Sequence, residues 1–261
     1  MIDTYVKEEV LCVEGTLKDF GRKVFVFLVD GMLIDTGPDN LEQALVSIYD
    51  QFDFDLVALT HNHEDHTGTA NWIQDNFEVP IYLHPKGIEL VKKAGSYPEY
   101  RKKTWGMRKP FDALPLDDTI RSRTLEWKVI YTPGHADDHV SFLNEATGRL
   151  FTGDLFVSPK TKVIMATESI PVIMDSLRKL LSYEFTSIFC SHAGYFEDGR
   201  KMLEMKLANL EKLVAEVKDL HNEGLSVSEI NNKLFPVKFP IIEFSEGEWD
   251  SVHIITSILA K

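Results

Sequence analysis

The chain has 261 residues, of which 44% are hydrophobic, and a formal net charge of −13. These values exclude a disordered protein and fit one large domain or a core with a small appendage. The acidic balance disfavours general nucleic-acid binding and docking on anionic membranes, which usually need basic surfaces. Two cysteines without metal or redox spacing, no signal-peptide pattern and no apolar run of membrane-spanning length predict a cytoplasmic protein.

The first half of the chain alternates predicted strands with predicted helices. Asp30-Gly31 supplies the two positive-φ positions of a tight turn, so Val24–Val29 and Met32–Ile34 are predicted to form a β-hairpin. Asp39 and Glu42 have the spacing of a capping box that opens a helix. Apolar patterns predict the remaining elements of this half: strands at Val10–Val13, Leu56–Leu59 and Pro80–Leu83, and helices at Thr69–Phe77 and Pro85–Ala94.

The second half opens with an interruption and closes with helices. Residues 95–118 contain Pro98, Gly106, Pro110 and Pro115, which predict a long irregular segment. Strands and one amphipathic helix are then predicted at Glu126–Tyr131, Val140–Leu143, Arg149–Phe151, Ile170–Leu181 (the helix) and Ser187–Cys190. Beyond residue 199 only helices are predicted, at Met202–Leu220 and after two capping boxes, Ser226/Glu229 and Ser245/Glu248. The alternation indicates a layered α/β protein.

The stretch Thr60–Gly68, Thr-His-Asn-His-Glu-Asp-His-Thr-Gly, concentrates metal-binding side chains directly after a buried strand. Imidazole and carboxylate are ligands that divalent zinc, iron and manganese prefer. In an extended chain His61 and His63 project to the same side and can hold one ion, whereas Asp65 and His66 can serve a second. The alternative is a polar loop with chance histidines, since short motif matches do fail.

His-x-His-x-Asp-His after a strand resembles the signature of the metallo-β-lactamase superfamily. Over about residues 10–195 the chain also carries, in order, the other parts of that family's pattern: Asp35-Thr36-Gly37, Thr132-Pro133-Gly134-His135, Thr152-Gly153-Asp154 and Ser191-His192-Ala193-Gly194. The resemblance implies an α/β fold, the four-layer αββα metallo-β-lactamase sandwich, with a helical C-terminal appendage. It implies a catalytic domain over residues 1–198 and a helical region over residues 199–261 packed on it.

The resemblance also implies a metal-dependent hydrolase with a dinuclear site. Seven side chains that each follow a strand would hold two ions. His61, His63 and His135 would bind the first ion, Asp65, His66 and His192 would bind the second, and Asp154 would bridge the two. Zinc is the expected metal, although iron or manganese also accepts these ligands. Such a pair activates a bridging water, and Asp65 is assigned the catalytic role of orienting that water or accepting its proton.

Several neighbouring residues are open to two interpretations. Asp35 is predicted to accept hydrogen bonds from the metal-binding loop, the alternative being an ordinary turn aspartate. His139 follows Asp137-Asp138, where the family often has Gly-His, and is predicted to be a buried structural partner rather than a ligand. Neither cysteine is placed as a ligand, which disfavours an antibiotic-degrading enzyme that uses one. Three aromatic residues after the ligands line a pocket or pack in the core: Phe156, Tyr195 and Phe196.

Residues 92–109 carry seven basic side chains with aromatic residues interleaved. In so acidic a protein this local reversal of charge predicts a mobile lid that attracts an anionic small-molecule substrate. A solvated loop or a homodimer contact is the alternative.

Four functions are compatible with these patterns. The first is hydrolysis of a small ester, thioester or lactone, and the alternative in the same fold is a phosphodiesterase or nuclease, against which the acidic charge weighs. A di-iron redox protein usually carries a flavin domain, for which the chain has no room. A non-catalytic binding module would not need a complete ligand set. The tail after Gly199 is similar to the C-terminal helices of glyoxalase-II-like and endoribonuclease-like members, although the family's glutathione contacts are not matched here.

Overall fold

Two mixed β-sheets lie at the centre of a computed structural model that describes residues 1–17 and 21–260. Over these residues, the first sheet has seven strands that neighbour one another in chain order: β1 (Ile2–Lys7), β2 (Val10–Leu17), β3 (Arg22–Val29), β4 (Met32–Ile34), β5 (Leu56–Ala58), β6 (Ile81–Leu83) and β7 (Leu114–Pro115). Strands β1 to β4 pair antiparallel, and β4 to β7 pair parallel.

The second sheet has six strands within the same described ranges: β8 (Thr119–Arg121), β9 (Glu126–Tyr131), β10 (Val140–Asn144), β11 (Arg149–Gly153), β13 (Ser187–Cys190) and β14 (Gly194–Phe196). Its spatial order is β14-β13-β11-β10-β9-β8, and β11 and β13 form its parallel pair. A separate two-stranded ribbon pairs β12 (Ile164–Met165) with β15 (Trp249–Asp250).

The helices complete the outer layers. Their bounds are α1 (Glu42–Tyr49), α2 (Glu64–Thr67), α3 (Ala70–Asn76), α4 (Pro85–Val91), α5 (Glu99–Trp105), α6 (Ile170–Leu181), α7 (Gly199–Asn222), α8 (Val227–Leu234), α9 (Pro240–Phe244) and α10 (Val252–Leu259). Three buried clusters fill the interfaces between the layers. Helices α1, α3 and α4 cover the first sheet around Leu45 and Ile73. Phe27, Phe151 and Phe189 pack between the sheets. The ring centroid of Phe27 lies 5.3 Å from that of Phe151 and 5.6 Å from that of Phe189, and the latter two are 4.8 Å apart.

The second sheet is covered by α6, α7, α8 and α10. Leu203 and Leu210 of α7 and Ile254 of α10 share one buried cluster with Leu143 and Leu150 of the sheet. The predicted αββα sandwich is therefore confirmed, whereas its division into units at residues 1–198 and 199–261 stays a prediction. Among the helices of residues 1–17 and 21–260, none combines the length and the apolarity needed to cross a bilayer.

Local sequence signals predicted several elements well. The hairpin turn is confirmed, with positive φ angles at Asp30 (48°) and Gly31 (78°). The bounds of α6 and β13 agree with the prediction to the residue. The capping box at Ser226 and Glu229 is also confirmed, because each side chain accepts a hydrogen bond from the other residue's backbone N–H.

Four sequence predictions are wrong. Helix α5 lies inside the segment predicted to be irregular. Strand β15 lies beyond residue 199, where only helices were expected. Asp39 caps no helix; its Oδ2 instead accepts a hydrogen bond from Met107 N at 3.2 Å. Ser245 follows the end of α9 and accepts from Trp249 N at 3.0 Å, while the next helix begins only at Val252.

Asp30 joins the hairpin turn to the turn between β8 and β9. Its Oδ2 accepts hydrogen bonds from Thr124 N at 2.7 Å and Leu125 N at 2.9 Å, and also from the Ser122 hydroxyl. Burial alone would raise the pKa of Asp30, but these hydrogen bonds lower it below the usual value of an aspartate. The carboxylate is therefore bound more favourably in the folded chain than in the unfolded one.

We expect Asp30→Asn, which tolerates the same positive φ, to destabilise the fold by about 1–2 kcal/mol at pH 7. Because the folded pKa lies below the unfolded value of about 3.9, the carboxylate's contribution is complete above that value. It is lost as the pH falls through the folded pKa. Urea unfolding at pH 7, 5 and 3 measures the difference, with Asp3→Asn on the exposed face of β1 as the control. A destabilisation that does not shrink at pH 3 would contradict this account.

Candidate metal centre

Every predicted ligand lies just beyond the end of a strand, and these strand ends meet at one edge of the sandwich. Strand β5 of the first sheet leads into residues 61–66, of which the last three lie in the short helix α2. Strands β9, β11 and β13 of the second sheet lead into His135, Asp154 and His192. Residues far apart in sequence are brought together because the ends of neighbouring strands share an edge.

The seven predicted donors form two groups. In each group the ligand atoms lie within 4.8 Å of one another: His61, His63 and His135 in the first, and Asp65, His66, Asp154 and His192 in the second. Asp154 contacts members of both groups, since its Oδ2 lies 3.4 Å from His135 Nε2 and 3.1 Å from His192 Nε2. Its Oδ1 lies 3.4 Å from His66 Nε2. The structure thus brings all seven side chains together, while their roles as ligands stay predictions.

The positions of the donor atoms suit coordination of a cation better than hydrogen bonding among themselves. Among the described residues, His61 Nε2, His66 Nε2 and Asp154 Oδ1 are buried and form no hydrogen bond, although the last two lie 3.4 Å apart. His63 Nδ1 faces His135 Nε2 at 3.0 Å. Buried polar atoms are nearly always paired, and convergent imidazole and carboxylate lone pairs suit a divalent transition metal.

The outward ring nitrogens of four histidines are held by protein oxygens. Each Nδ1 has its own partner: Thr60 Oγ1 for His61 (3.0 Å), Asp35 Oδ2 for His66 (2.8 Å), Glu168 Oε2 for His135 (3.2 Å) and the Lys23 carbonyl for His192 (2.6 Å). Partners of this kind fix the tautomer and orientation of histidines that bind metals. The inward nitrogens are consequently left free to coordinate an ion.

The electrostatics of the centre also favour a cation. Burial alone would raise the pKa of Asp154, but His192 and His66 hold it well below its usual range. Burial alone would lower the pKa of His66, but Asp65 and Asp154 raise it well above its usual value. Burial and the neighbouring His66 lower the pKa of His61 well below its usual value, which favours the neutral ligand form. Positive charge on the neighbouring imidazoles therefore stabilises the ionised carboxylates, and a metal that displaces those protons would take over this role.

Asp35 ties the metal-binding loop to both sheets. Its Oδ1 accepts a hydrogen bond from Thr60 N at 2.8 Å, and its Oδ2 accepts from His66 Nδ1 at 2.8 Å and from the Ser191 hydroxyl at 3.3 Å. The residue is fully buried at a φ of 58°. The prediction that Asp35 supports the loop is confirmed, and the ordinary-turn alternative is wrong.

Comparisons with known proteins agree with this geometry. A family model described as the metallo-beta-lactamase superfamily matches residues 20–192. The chain belongs to this superfamily. The probable metallo-hydrolase YqjP of Bacillus subtilis (strain 168) is 24% identical, over 89% of this chain and 86% of that protein. Hydroxyacylglutathione hydrolase of Hahella chejuensis (strain KCTC 2396) is 30% identical, over 52% of this chain and only 47% of that protein.

A solved structure shares the fold of this chain. The metallo-beta-lactamase family protein TTHA1429 from Thermus thermophilus superposes with a TM-score of 0.70 at 21% identity, covering 96% of this chain and 93% of that one. The family match and the hydrolase relatives make the protein a metal-dependent hydrolase of the metallo-β-lactamase superfamily.

Glu168 is a supporting residue of the hydrolase that the sequence did not reveal. Its Oε2 lies 3.2 Å from His135 Nδ1, and its Oε1 accepts a hydrogen bond from Met165 N at 2.9 Å. The side chain is buried. It lies between β12 and α6, in a stretch without a recognisable motif, so only the folded chain connects it with His135.

Glu64 and Arg101 form a second support that sequence analysis missed. Glu64 lies between His63 and Asp65 and is fully buried. Arg101 donates to it twice, from Nε and Nη2, at 2.6 Å each, and Arg101 Nη1 donates to Glu248 at 3.0 Å. Arg101 therefore holds the metal-binding loop and is not free to attract substrate.

Other basic side chains of residues 92–109 also have local partners: Lys92 with Glu89, Lys102 with Glu99, and Arg108 with the carbonyls of Leu90 and Val91.

His139 has the structural role predicted for it. Its Nε2 accepts a hydrogen bond from Asp154 N at 3.1 Å, and its Nδ1 lies 2.9 Å from Thr132 Oγ1. Gly153 has a φ of 49°, and a Cβ there would lie 2.5 Å from His139 Nε2, so this contact requires glycine. Asp138, the departure from the family pattern, accepts a hydrogen bond from Asn62 Nδ2 at 2.8 Å.

A cavity of about 460 Å³ opens beside the donors. Its metal side includes His63, Asp65 and Asp154. The rest of the lining combines aliphatic side chains with aromatic and basic ones: Tyr100, Trp105, Phe244 and Trp249, and Arg22, Lys23, Arg101, Lys160, Lys162 and Lys206. Among the described lining residues, none is Phe156, Tyr195 or Phe196: the rings of Phe156 and Phe196 pack 5.4 Å apart, and the Tyr195 hydroxyl donates to Glu8.

We expect Asp35→Asn to weaken metal binding by about 10- to 100-fold, because an amide cannot accept from Thr60, His66 and Ser191 as the carboxylate does. Chelator competition followed by elemental analysis measures the affinity, with the exposed Asp3→Asn as control. Unchanged affinity in a folded Asp35→Asn protein would show that the contacts of this carboxylate do not support the ligands.

We expect Arg101→Gln to destabilise the hydrolase by about 3–5 kcal/mol, because the buried Glu64 carboxylate would lose its partner. Urea unfolding measures the loss, and Lys103→Gln, exposed on the same helix, is the matched control at about 0.5 kcal/mol or less. The double variant Glu64→Gln/Arg101→Gln should be more stable than additivity predicts. Strict additivity would contradict a direct pairing.

Proposed function

We propose that the hydrolase cleaves a small ester, thioester or lactone at a dinuclear metal centre, with zinc as the metal. The observation that carries the proposal is the position of Asp154, whose carboxylate contacts histidines of both donor groups at 3.1 to 3.4 Å. A carboxylate between two sets of donors is the arrangement that a pair of ions needs. The first set would hold one ion and the second set the other.

When bound, the ions would supply Lewis acidity and lower the pKa of a water. The chain's own residues then have distinct tasks. Asp65 faces the cavity, and its Oδ2 lies 3.2 Å from His192 Nε2. Burial alone would raise the pKa of Asp65, but His66 and His192 lower it, so the carboxylate stays ionised. An ionised carboxylate accepts a hydrogen bond from water and orients it for attack. Glu168 and Asp35 hold the surrounding imidazoles in position.

The cavity supports a small, anionic substrate. A volume of about 460 Å³ suits a small molecule. Trp105 lies close to the metal side, with its ring centroid 6.0 Å from that of His192. Basic side chains, among them Arg22, Lys23, Lys160 and Lys162, also line the cavity of a protein with a net charge of −13. Similarity to a hydroxyacylglutathione hydrolase, whose name denotes thioester cleavage, favours a thioester.

A phosphodiesterase activity is the alternative, favoured by the same basic side chains. The net charge of −13 weighs against a nucleic-acid substrate. We also propose a cytoplasmic location, which the two free, buried cysteines support. A homodimer built on residues 92–109 stays a prediction.

We expect two metal ions per chain by elemental analysis, and turnover of thioesters or lactones that chelation abolishes. Asp154→Asn should lower kcat/KM by more than the roughly 10- to 100-fold typical of an outer supporting residue. Exposed Asp137→Asn, in the loop that carries His135, is the control. Faster turnover of bis-aryl phosphates would favour the alternative, and a protein that takes up no transition metal would overturn the proposal.

A further inference from the structure

Lys206 is a buried cation in the wall of the cavity. It lies on α7 between Leu203 and Leu210, which pack in the core, and only 7% of its surface is exposed. Its ammonium lies 5.8 Å from the ring centroid of Phe156. It lines the cavity together with His135 and Asp154.

The ammonium of Lys206 has few partners for a buried charge. An ammonium has three N–H donors, but within residues 1–17 and 21–260 its one hydrogen bond is a long one, to the Ser158 carbonyl at 3.5 Å, and its other contact is the Phe156 ring. Within the described part of the chain, the lysines that form ion pairs with carboxylates are Lys23, Lys92, Lys102, Lys128 and Lys212, and Lys206 is not among them. Glu168 is the carboxylate whose charge most favours protonated Lys206, yet both its oxygens are engaged, by Met165 N and His135 Nδ1.

A buried and incompletely paired ammonium is costly. Burial accordingly lowers the pKa of Lys206. An anion that enters the cavity would supply the missing partner in a place from which water is largely excluded, where charge pairs are strong. Lys160 and Lys162 line the same cavity but are exposed, so their ion pairs with a ligand would contribute little.

We propose that Lys206 binds a carboxylate group of the substrate, so that the hydrolase selects thioesters or esters that carry one anionic end. This inference rests on the proposed function and specifies its substrate class. A single carboxylate matches the single charge of Lys206. A phosphate dianion would leave one charge unpaired in a buried place, which is unfavourable.

The experiment compares wild type, Lys206→Met and the control Lys212→Met, in the metal-loaded protein. Lys212 lies on the same helix, but its side chain is 76% exposed and its ammonium lies 3.8 Å from Glu216 Oε1. The substrates are S-acetyl ω-mercaptoalkanoates with two to five methylene groups, each paired with its neutral carboxamide. The series of lengths probes the separation of the anionic end from the reacting carbonyl.

We expect Lys206→Met to raise KM for the best carboxylate substrate by about 10- to 100-fold, because a hydrogen-bonded charge pair is lost. The kcat should stay within about twofold, and the carboxamides should be unaffected. Lys212→Met should behave as wild type. An equal change for carboxylate and carboxamide, a fall in kcat for both, or no change at all would overturn the assignment.

A binding measurement separates this inference from the proposed function. Calorimetry with the uncleavable ω-(methylthio)alkanoates should show affinity in wild type that falls about 10- to 100-fold in Lys206→Met. If no thioester is turned over but this loss is seen, the proposed reaction fails and the carboxylate site stands. If both proteins bind these compounds equally, or neither binds them, the carboxylate site fails. Urea unfolding is the folding control, and Lys206→Met should be at least as stable as wild type because an incompletely paired buried charge is removed.

Discussion

The carboxylate of Asp35 is the constraint on which the metal centre depends. It follows β4, and it accepts hydrogen bonds from Thr60 and His66 after β5 and from Ser191 after β13. One buried side chain thus aligns strand ends of both sheets. Without it, His66 would lose the partner of its Nδ1, and the residues after β5 and β13 would lose their shared acceptor. The unusual φ of 58° at Asp35 is explained by these contacts, which over-determine its conformation.

The C-terminal residues support the centre without supplying a candidate ligand. The ribbon of β12 and β15 brings Glu248 to Arg101, and Arg101 in turn holds Glu64 inside the metal-binding loop. The same ribbon precedes Glu168, which orients His135. Residues 240–250 and the loop at 61–66 are therefore linked by hydrogen bonds through Arg101, although no sequence motif or spacing relates them. Supporting residues of this kind are often as important to a metal site as its ligands.

Much of the fold followed from local signals. The Asp30-Gly31 turn, the helix Ile170–Leu181 and the strand Ser187–Cys190 needed only turn chemistry and apolar periodicity. Helix α5 was missed although its signals were present: Pro98 precedes its first residue and Gly106, with a φ of 90°, ends it. Proline at a helix start and glycine at its end are ordinary boundary signals, so interpreting them as loop residues concealed a helix.

Other features could not be predicted because they are formed by pairs of residues distant in sequence. Strands β12 and β15 have two residues each, too few for a period-2 pattern, and exist because they pair with each other. The seven donors could be predicted only because their family pattern records such distant contacts, and Glu168, outside that pattern, was not found.

The donor residues and the cavity have different roles in the proposed reaction. With the ions that we propose they hold, the imidazoles and carboxylates would activate water for any substrate that reaches them. Selection must come from the cavity, where the cations fall into two kinds. Exposed Lys160 and Lys162 attract anions at long range, an effect that salt screens. Lys206, largely removed from water, would discriminate between a charged and a neutral end. In an acidic protein this division would allow the proposed substrate anion to be attracted first and bound specifically afterwards.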